Sequence, residues 1–273
     1  MMWLLSLIIL LPTGWMALDF SIGDQINRGI ESLISTDGTL ADQKIAIAFI
    51  AGALVAATPI HIILRYLATL VHEVGHAFTA GILGARPRTI TIAPSSSGLA
   101  TYEAPRSWGR GRISIVTFTG YPAPAIASLA AINAVRSGHI YAWFLFASIT
   151  LATSLILLIR NAWGITWTLS SVVACYFIAK YASLEILGIV LVGLSGYLAI
   201  EGIRHTWAQI QIVRLHRGSG CDAEKIGDAW PGTSAFFAWV HLITVVCISA
   251  YAATRAVSPY SQEIVDWVQQ QMS

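Results

Sequence analysis

The sequence predicts an all-α multi-pass membrane bundle of six to seven transmembrane helices, with a small β-hairpin after one of them. Three observations predict it. Of the 273 residues, 56% are hydrophobic and 11% are charged, where a soluble domain carries about 25% charged residues. Apolar runs recur at the length of about 20 residues that a helix needs to cross about 30 Å of hydrocarbon. Ten tryptophans and nine tyrosines suit two lipid–water boundaries, where amphipathic rings settle.

Taken in order, the spans read as 2–18, 45–83, 113–135, 139–159, 162–179, 183–203 and 234–254. The first lacks the basic start of a secretory signal and is read as an uncleaved span or signal anchor. The second is too long for one straight crossing, and Pro59 inside it removes a backbone donor and predicts a kink. Between these two, residues 19–44 place Phe20, Ile22, Ile26, Ile30, Leu33 and Ile34 at near-helical spacing. That pattern fits an extracytoplasmic helix lying on the membrane, or equally a face packed on the bundle. The tail 255–273 repeats it with Ile264, Val265, Trp267 and Val268. Residues 86–103 differ. Thr89-Ile90-Thr91-Ile92 is β-prone, Pro94-Ser95-Ser96-Ser97-Gly98 is turn chemistry, and Leu99-Ala100-Thr101-Tyr102 is β-compatible, so a hairpin is expected over 89–102. The whole chain reads as one membrane domain with its core at 45–254.

Charge orients the bundle. Arg86, Arg88, Arg106, Arg110 and Arg112 crowd one connecting segment, and Arg204, Arg214, Arg217 and Lys225 another. Seven spans put both on one side. The opposite side has Arg28, Lys44, Arg136, Lys180 and Arg255, dispersed over several segments. The arginine-rich side is therefore expected to be cytoplasmic. A net charge of +2 gives no reason to expect a nucleic-acid partner. Cys175, Cys221 and Cys247 form no C-x-x-C, which argues against a disulfide framework or a cysteine zinc site.

The chemistry concentrates at Val71-His72-Glu73-Val74-Gly75-His76, an H-E-x-x-H pattern. On a helix, His72 and His76 project from one face and reach one zinc ion. Glu73 beside them is placed to take a proton from a water on that metal, whose pKa zinc lowers to about 7. A glutamate and two histidines in an apolar helix cost several kcal/mol without partners, so the setting sharpens the motif. Catalytic zinc takes three protein ligands and keeps an open position. Asp222, Glu224, Asp228, Asn161, Glu103 and Glu201 lie on the expected side, and periodicity does not choose among them.

From Arg65 through His72-Glu73-Val74-Gly75-His76-Ala77 the chain resembles the site-2-type membrane zinc metalloproteases, in particular their short bacterial branch. The likeness continues through the hairpin, Thr119-Gly120-Tyr121-Pro122, Ile159-Arg160-Asn161-Ala162-Trp163-Gly164, and Cys221-Asp222-Ala223 with Trp230-Pro231. The resemblance implies one zinc per chain, Asp222 as third ligand and Asn161 as the residue that handles the substrate strand. It also implies membrane-protein or peptide substrates cleaved in or near their transmembrane segments, and a bacterial plasma membrane as location. The chain departs from the better-known members, where the asparagine and aspartate lie close together; here sixty-one residues separate Asn161 from Asp222. Gly120-Tyr121-Pro122 reads more simply as a kink or close helix approach.

Two other readings compete. Gly193-Leu194-Ser195-Gly196 with His241 resembles the serine centre of rhomboid-type proteases. A non-catalytic membrane protein or metal carrier would draw on His61, His139, His205, His216 and His241, which are scattered without a second pair at ligand spacing.

Overall fold

The protein is described from a computed structural model over residues 11–215 and 220–272. Its elements are α1 (Leu11–Ile34), α2 (Asp42–Val55), α3 (His61–Ile82), β1 (Arg86–Ile92), β2 (Gly98–Glu103), α4 (Arg110–Phe118) and α5 (Pro122–Arg136), then α6 (Ile140–Leu157), α7 (Ala162–Tyr181), α8 (Leu184–Leu215), α9 (Asp222–Ala229) and α10 (Ser234–Met272). Four of these helices, α6, α7, α8 and α10, are long and apolar enough to cross a membrane. The pair α4 and α5, bent by 55° at residues 119–121, makes a fifth crossing if taken as one span.

The expected second span, 45–83, is two helices. Residues 56–60 turn between them, with Thr58 Oγ1 donating to Val55 O at 2.9 Å and Pro59 unable to continue the ladder. The fourteen residues of α2 are short for a crossing, and α3 is diluted by Arg65, His72, Glu73 and His76. The expected boundary between 18 and 19 lies inside the continuous helix α1, while residues 1–10 of the first span fall outside the described residues. Helix α9 carries no span signal and adds an eight-residue element to the connection before α10.

Polar ties show which helix ends share a level. Lys44 Nζ donates to Glu185 Oε1 at 2.6 Å, joining the starts of α2 and α8, so these helices run side by side in the same direction. They meet backbone to backbone: a Cβ on Gly52 would run into Gly193, and one on Gly196 into the Phe49 carbonyl. Such contact needs glycine at positions 52 and 196. Ser195 lies beside this seam, its Oγ bonded to Leu191 O at 2.7 Å and its carbonyl accepting from Ser128 Oγ of α5 at 2.8 Å. His241 is occupied elsewhere, with Gln209 Oε1 at 3.0 Å. The serine-protease reading therefore falls, and Gly193-Leu194-Ser195-Gly196 is a packing motif.

Arg136 Nη1 donates to Asp42 Oδ1 at 2.8 Å, and Arg255 Nε to Asn133 Oδ1 at 3.1 Å. Asp37 Oδ2 accepts from Ser32 Oγ and from the Tyr141 amide. One end of the bundle thus gathers the starts of α2, α6 and α8 with the end of α5. The hairpin, which bonds the end of α6, and α9, which packs on α4, lie at the other end of these helices.

The hairpin pairs antiparallel, Ile92 opposite Gly98 and Arg86 opposite Glu103, with an irregularity between Pro87 and Thr89. It folds back along α3. Tyr66 Oη donates to Pro94 O at 2.6 Å and Thr69 Oγ1 to Ser96 O at 2.8 Å, which seats the turn on the metal-motif helix. The inner edge of β1 is also filled. Ile90 N donates to Leu158 O at 2.8 Å and Arg160 N to Ile90 O at 3.3 Å. Ile90 and Ile92 are fully buried between α3 and the end of α6.

Candidate metal centre

Helix α3 presents His72, Glu73 and His76 from its inner face, Glu73 and His76 being buried. Asp222 is the first residue of α9, where unpaired backbone N–H groups favour a carboxylate. Trp230 Nε1 donates to Ser114 Oγ at 3.0 Å and ties the far end of α9 to α4, fixing the angle at which Asp222 meets the histidines.

Three atoms converge. His72 Nε2 and His76 Nε2 are 3.1 Å apart, and Asp222 Oδ2 lies 3.1 Å from the first and 3.0 Å from the second. His76 Nδ1–H donates to Val116 O at 2.7 Å, which orients the ring and leaves Nε2 as the lone-pair nitrogen of the neutral imidazole. Three such atoms at this spacing need a proton or a metal cation among them. The corners of such a triangle lie about 1.8 Å from its centre, inside the reach of about 2.0–2.2 Å of Zn–N and Zn–O bonds. The donor set, two imidazoles and one carboxylate with the remaining directions open, fits a catalytic zinc. Lys225 Nζ takes the other Asp222 oxygen, Oδ1, at 3.1 Å and leaves Oδ2 for the histidines.

The bend between α4 and α5 forms the floor. A Cβ at Gly120 would lie 2.7 Å from His72 Nε2 and closer still to the His76 ring, so the backbone there touches both imidazoles. Tyr121 sets its ring edge-on to His72, centroids 4.7 Å apart, with His241 on its other side at 5.0 Å. Gly98, the first residue of β2, abuts the Glu73 carboxyl: a Cβ there would sit 2.7 Å from Cγ and 2.8 Å from Cδ. A cavity of about 360 Å³ joins His72, Glu73, His76 and Asp222 with Gly98 of β2 and His205 of α8.

The remaining candidates are engaged elsewhere. Glu103 pairs with Arg88 at the base of the hairpin, and this hydrogen bond lowers its carboxyl pKa. Glu201 pairs with His205 and Arg204, Glu224 accepts from the Gly220 amide, and Asp228 is exposed. Asn161 holds the backbone of Ile92 at both ends of its amide: Ile92 N donates to Oδ1 at 3.0 Å and Nδ2 donates to Ile92 O at 2.7 Å. His61 and His139 bond backbone carbonyls, and His216 is outside the described residues. Among the described residues, His72, His76 and Asp222 alone offer three ligand atoms within 4.8 Å of one another. Sequence reasoning missed Gly98, Lys225 and His205. It also read Gly120 and Tyr121 as packing, although a glycine beside a span's proline was the available signal.

The family model Peptidase M50B-like matches residues 45–253, well over half of the chain. The chain belongs to this family, the membrane metallopeptidases of site-2 type. It is accordingly a multi-pass membrane protein of a zinc-dependent peptidase family. No curated protein and no solved structure matches it.

Proposed function

We propose that the protein is a membrane-embedded zinc endopeptidase that hydrolyses peptide bonds in or near transmembrane segments of other proteins. The observation that carries this reading is the convergence of His72, His76 and Asp222 in one cavity with Glu73. These three residues would hold the zinc, one ion per chain. Zinc, when bound, lowers the pKa of a coordinated water and polarises the scissile carbonyl. Glu73 takes a proton from the attacking water at its carboxylate and passes it to the nitrogen of the leaving amine. His76 keeps its ring fixed through Val116, and Lys225 keeps Asp222 facing the histidines.

The substrate must be extended, because helical hydrogen bonding shields its carbonyls. Among the described residues no strand pairs with the outer edge of β2, and Gly98, Leu99 and Ala100 line the cavity. A peptide added to that edge lies beside Glu73. Asn161 serves this arrangement by clamping β1 on its inner side, so its role in substrate handling runs through the hairpin. Depth supports a cytoplasmic site. The fifteen residues of α5 separate Arg136 at one face from the metal floor, about 22 Å at 1.5 Å per residue. That leaves under about 10 Å of a 30 Å core to the arginine-rich face. We infer six to seven crossings, a catalytic core over 45–254 and a bacterial plasma membrane.

Glu73→Gln tests the reading. Turnover of labelled, unfolded casein by the detergent-purified, zinc-loaded protein should fall by about 10²–10⁴-fold, the range for loss of a general base, with zinc content unchanged. Undiminished turnover in that variant would refute the assignment.

A further inference from the structure

We propose that His205, oriented by Glu201, is a catalytic residue that donates a hydrogen bond to the carbonyl oxygen of the scissile peptide as it becomes an oxyanion. This rests on the endopeptidase reading and adds to it a residue of the same cavity.

Three observations carry the inference. First, Glu201 is 4% exposed on α8, a helix apolar enough to span the membrane. A carboxylate there is costly and calls for a functional partner. It does not reach the metal triad. Its Oε1 lies 3.2 Å from His205 Nε2, and Arg204 Nη1 stands 3.4 Å from its Oε2. Second, the side chain of His205 remains 29% exposed, and the residue lines the cavity that holds His72, Glu73 and Asp222. A ring whose Nε2–H faces a carboxylate is fixed in orientation and presents Nδ1 away from it. Third, His205, Ala208, Gln209 and Ile212 occupy one face of α8 by their i, i+3, i+4, i+7 spacing, and all four line the cavity together with Gly98, Leu99 and Ala100 of the hairpin. A peptide laid along β2 therefore shares one cavity with the metal triad and His205.

Chemistry supplies the role. When water oxygen adds to the carbonyl carbon, the C=O electron pair moves to oxygen, and Glu73 holds the proton from the water. The C–N bond then breaks, and that proton goes to nitrogen. No proton is transferred to or from His205. The role requires the doubly protonated ring, in which Nε2–H meets Glu201 and Nδ1–H is left to donate to charge that exists only after attack, the condition for selective transition-state stabilisation. The charged groups around Glu201 are His205 and Arg204 on its own helix and His61 on α3. Across the cavity stand Glu73, Asp222 and Lys225.

The alternative is structural. Arg204 also donates to Ala56 O at the α2–α3 break, so the cluster could simply brace that turn. The test separates the two with the zinc-loaded, full-length protein in detergent. A peptide phosphinate, whose tetrahedral phosphorus oxygens mimic the oxyanion, is titrated into wild type, His205→Ala and His205→Gln. Casein turnover and zinc per chain are measured in parallel, with Glu73→Gln as control. We expect His205→Ala to lower kcat about 10²-fold, in the range found for removing one oxyanion donor. KM should change little, and phosphinate affinity should fall by a similar factor. Zinc content should stay at the wild-type level, and His205→Gln, which keeps an N–H donor, should recover part of both losses. Wild-type phosphinate affinity in His205→Ala overturns the inference, as does loss of zinc in that variant or no recovery by glutamine. If Glu73→Gln is inactive while His205→Ala turns over normally, only this inference fails. If Glu73→Gln matches wild type, the endopeptidase reading fails and this inference falls with it.

Discussion

Replacing Gly120 by alanine puts a methyl group into the space between the α4–α5 bend and the two imidazoles. The new Cβ would lie 2.7 Å from His72 Nε2 and nearer to His76, where ordinary contact begins at 3.4 Å. Both rings must retreat, His72 by about 0.7 Å and His76 by more, several times the tolerance of about 0.2 Å expected for metal–ligand distances. The helices cannot separate to absorb this. Thr119 Oγ1 bonds Gly75 O at 3.3 Å, and a Cβ on Gly75 would already clash with Ala123, so α3 and the bend are in close contact at Gly75, between the two histidines. Zinc affinity should fall by about 100-fold or more, at or beyond the upper end of what loss of a ligand-orienting group costs. Overpacking should cost about 1–3 kcal/mol of stability. The assay is elemental zinc per chain after equilibration with a graded chelator, with a thermal melt of the same samples. If Gly120→Ala keeps its zinc at the chelator concentration that half-empties wild type, the packing argument is refuted.

Two further predictions follow from neighbouring contacts. Gly98→Ala presses a methyl group onto the Glu73 carboxyl without touching a proposed ligand, so casein turnover should fall at least about 10-fold, the lower part of what general-base catalysis supplies, while zinc stays bound; zinc loss in this variant would contradict the separation of base and ligands. Asn161→Ala frees both backbone groups of Ile92, which should cost about 1–3 kcal/mol and speed hydrogen exchange across residues 89–92; unchanged exchange there would remove the clamp on β1.

The readable parts of this protein were those governed by local spacing. His72 and His76 share a helix face because they are four residues apart, and the hairpin followed from alternating Thr and Ile around Pro94–Gly98. Asp222 was different. It meets His72 across 150 positions of sequence, a proximity created by α9 packing on α4, which no local pattern encodes. The resemblance named it; spacing alone left it among six candidates. Gly120 was hidden for a related reason, since a glycine at a bend signals close approach without saying what approaches. The apolar stretch 45–83 was read as one span kinked at Pro59, whereas the chain breaks there into two helices, because hydropathy averages over residues 56–60. Only the backbone shows that α2 runs beside α8 and α3 turns away from it. Gly193-Leu194-Ser195-Gly196 shows the converse, a catalytic-looking pattern that the structure uses to bring two helices into contact.

The account rests most on Asp222 completing the metal centre with His72 and His76. Zinc per chain measured by elemental analysis on detergent-purified wild type, His72→Ala, Asp222→Ala and Asp228→Asn tests it directly. The account predicts near-stoichiometric zinc in wild type and Asp228→Asn, and loss of zinc in both alanine variants, all four remaining folded. Zinc retained by Asp222→Ala, or absent from folded wild type never exposed to chelator, would contradict it.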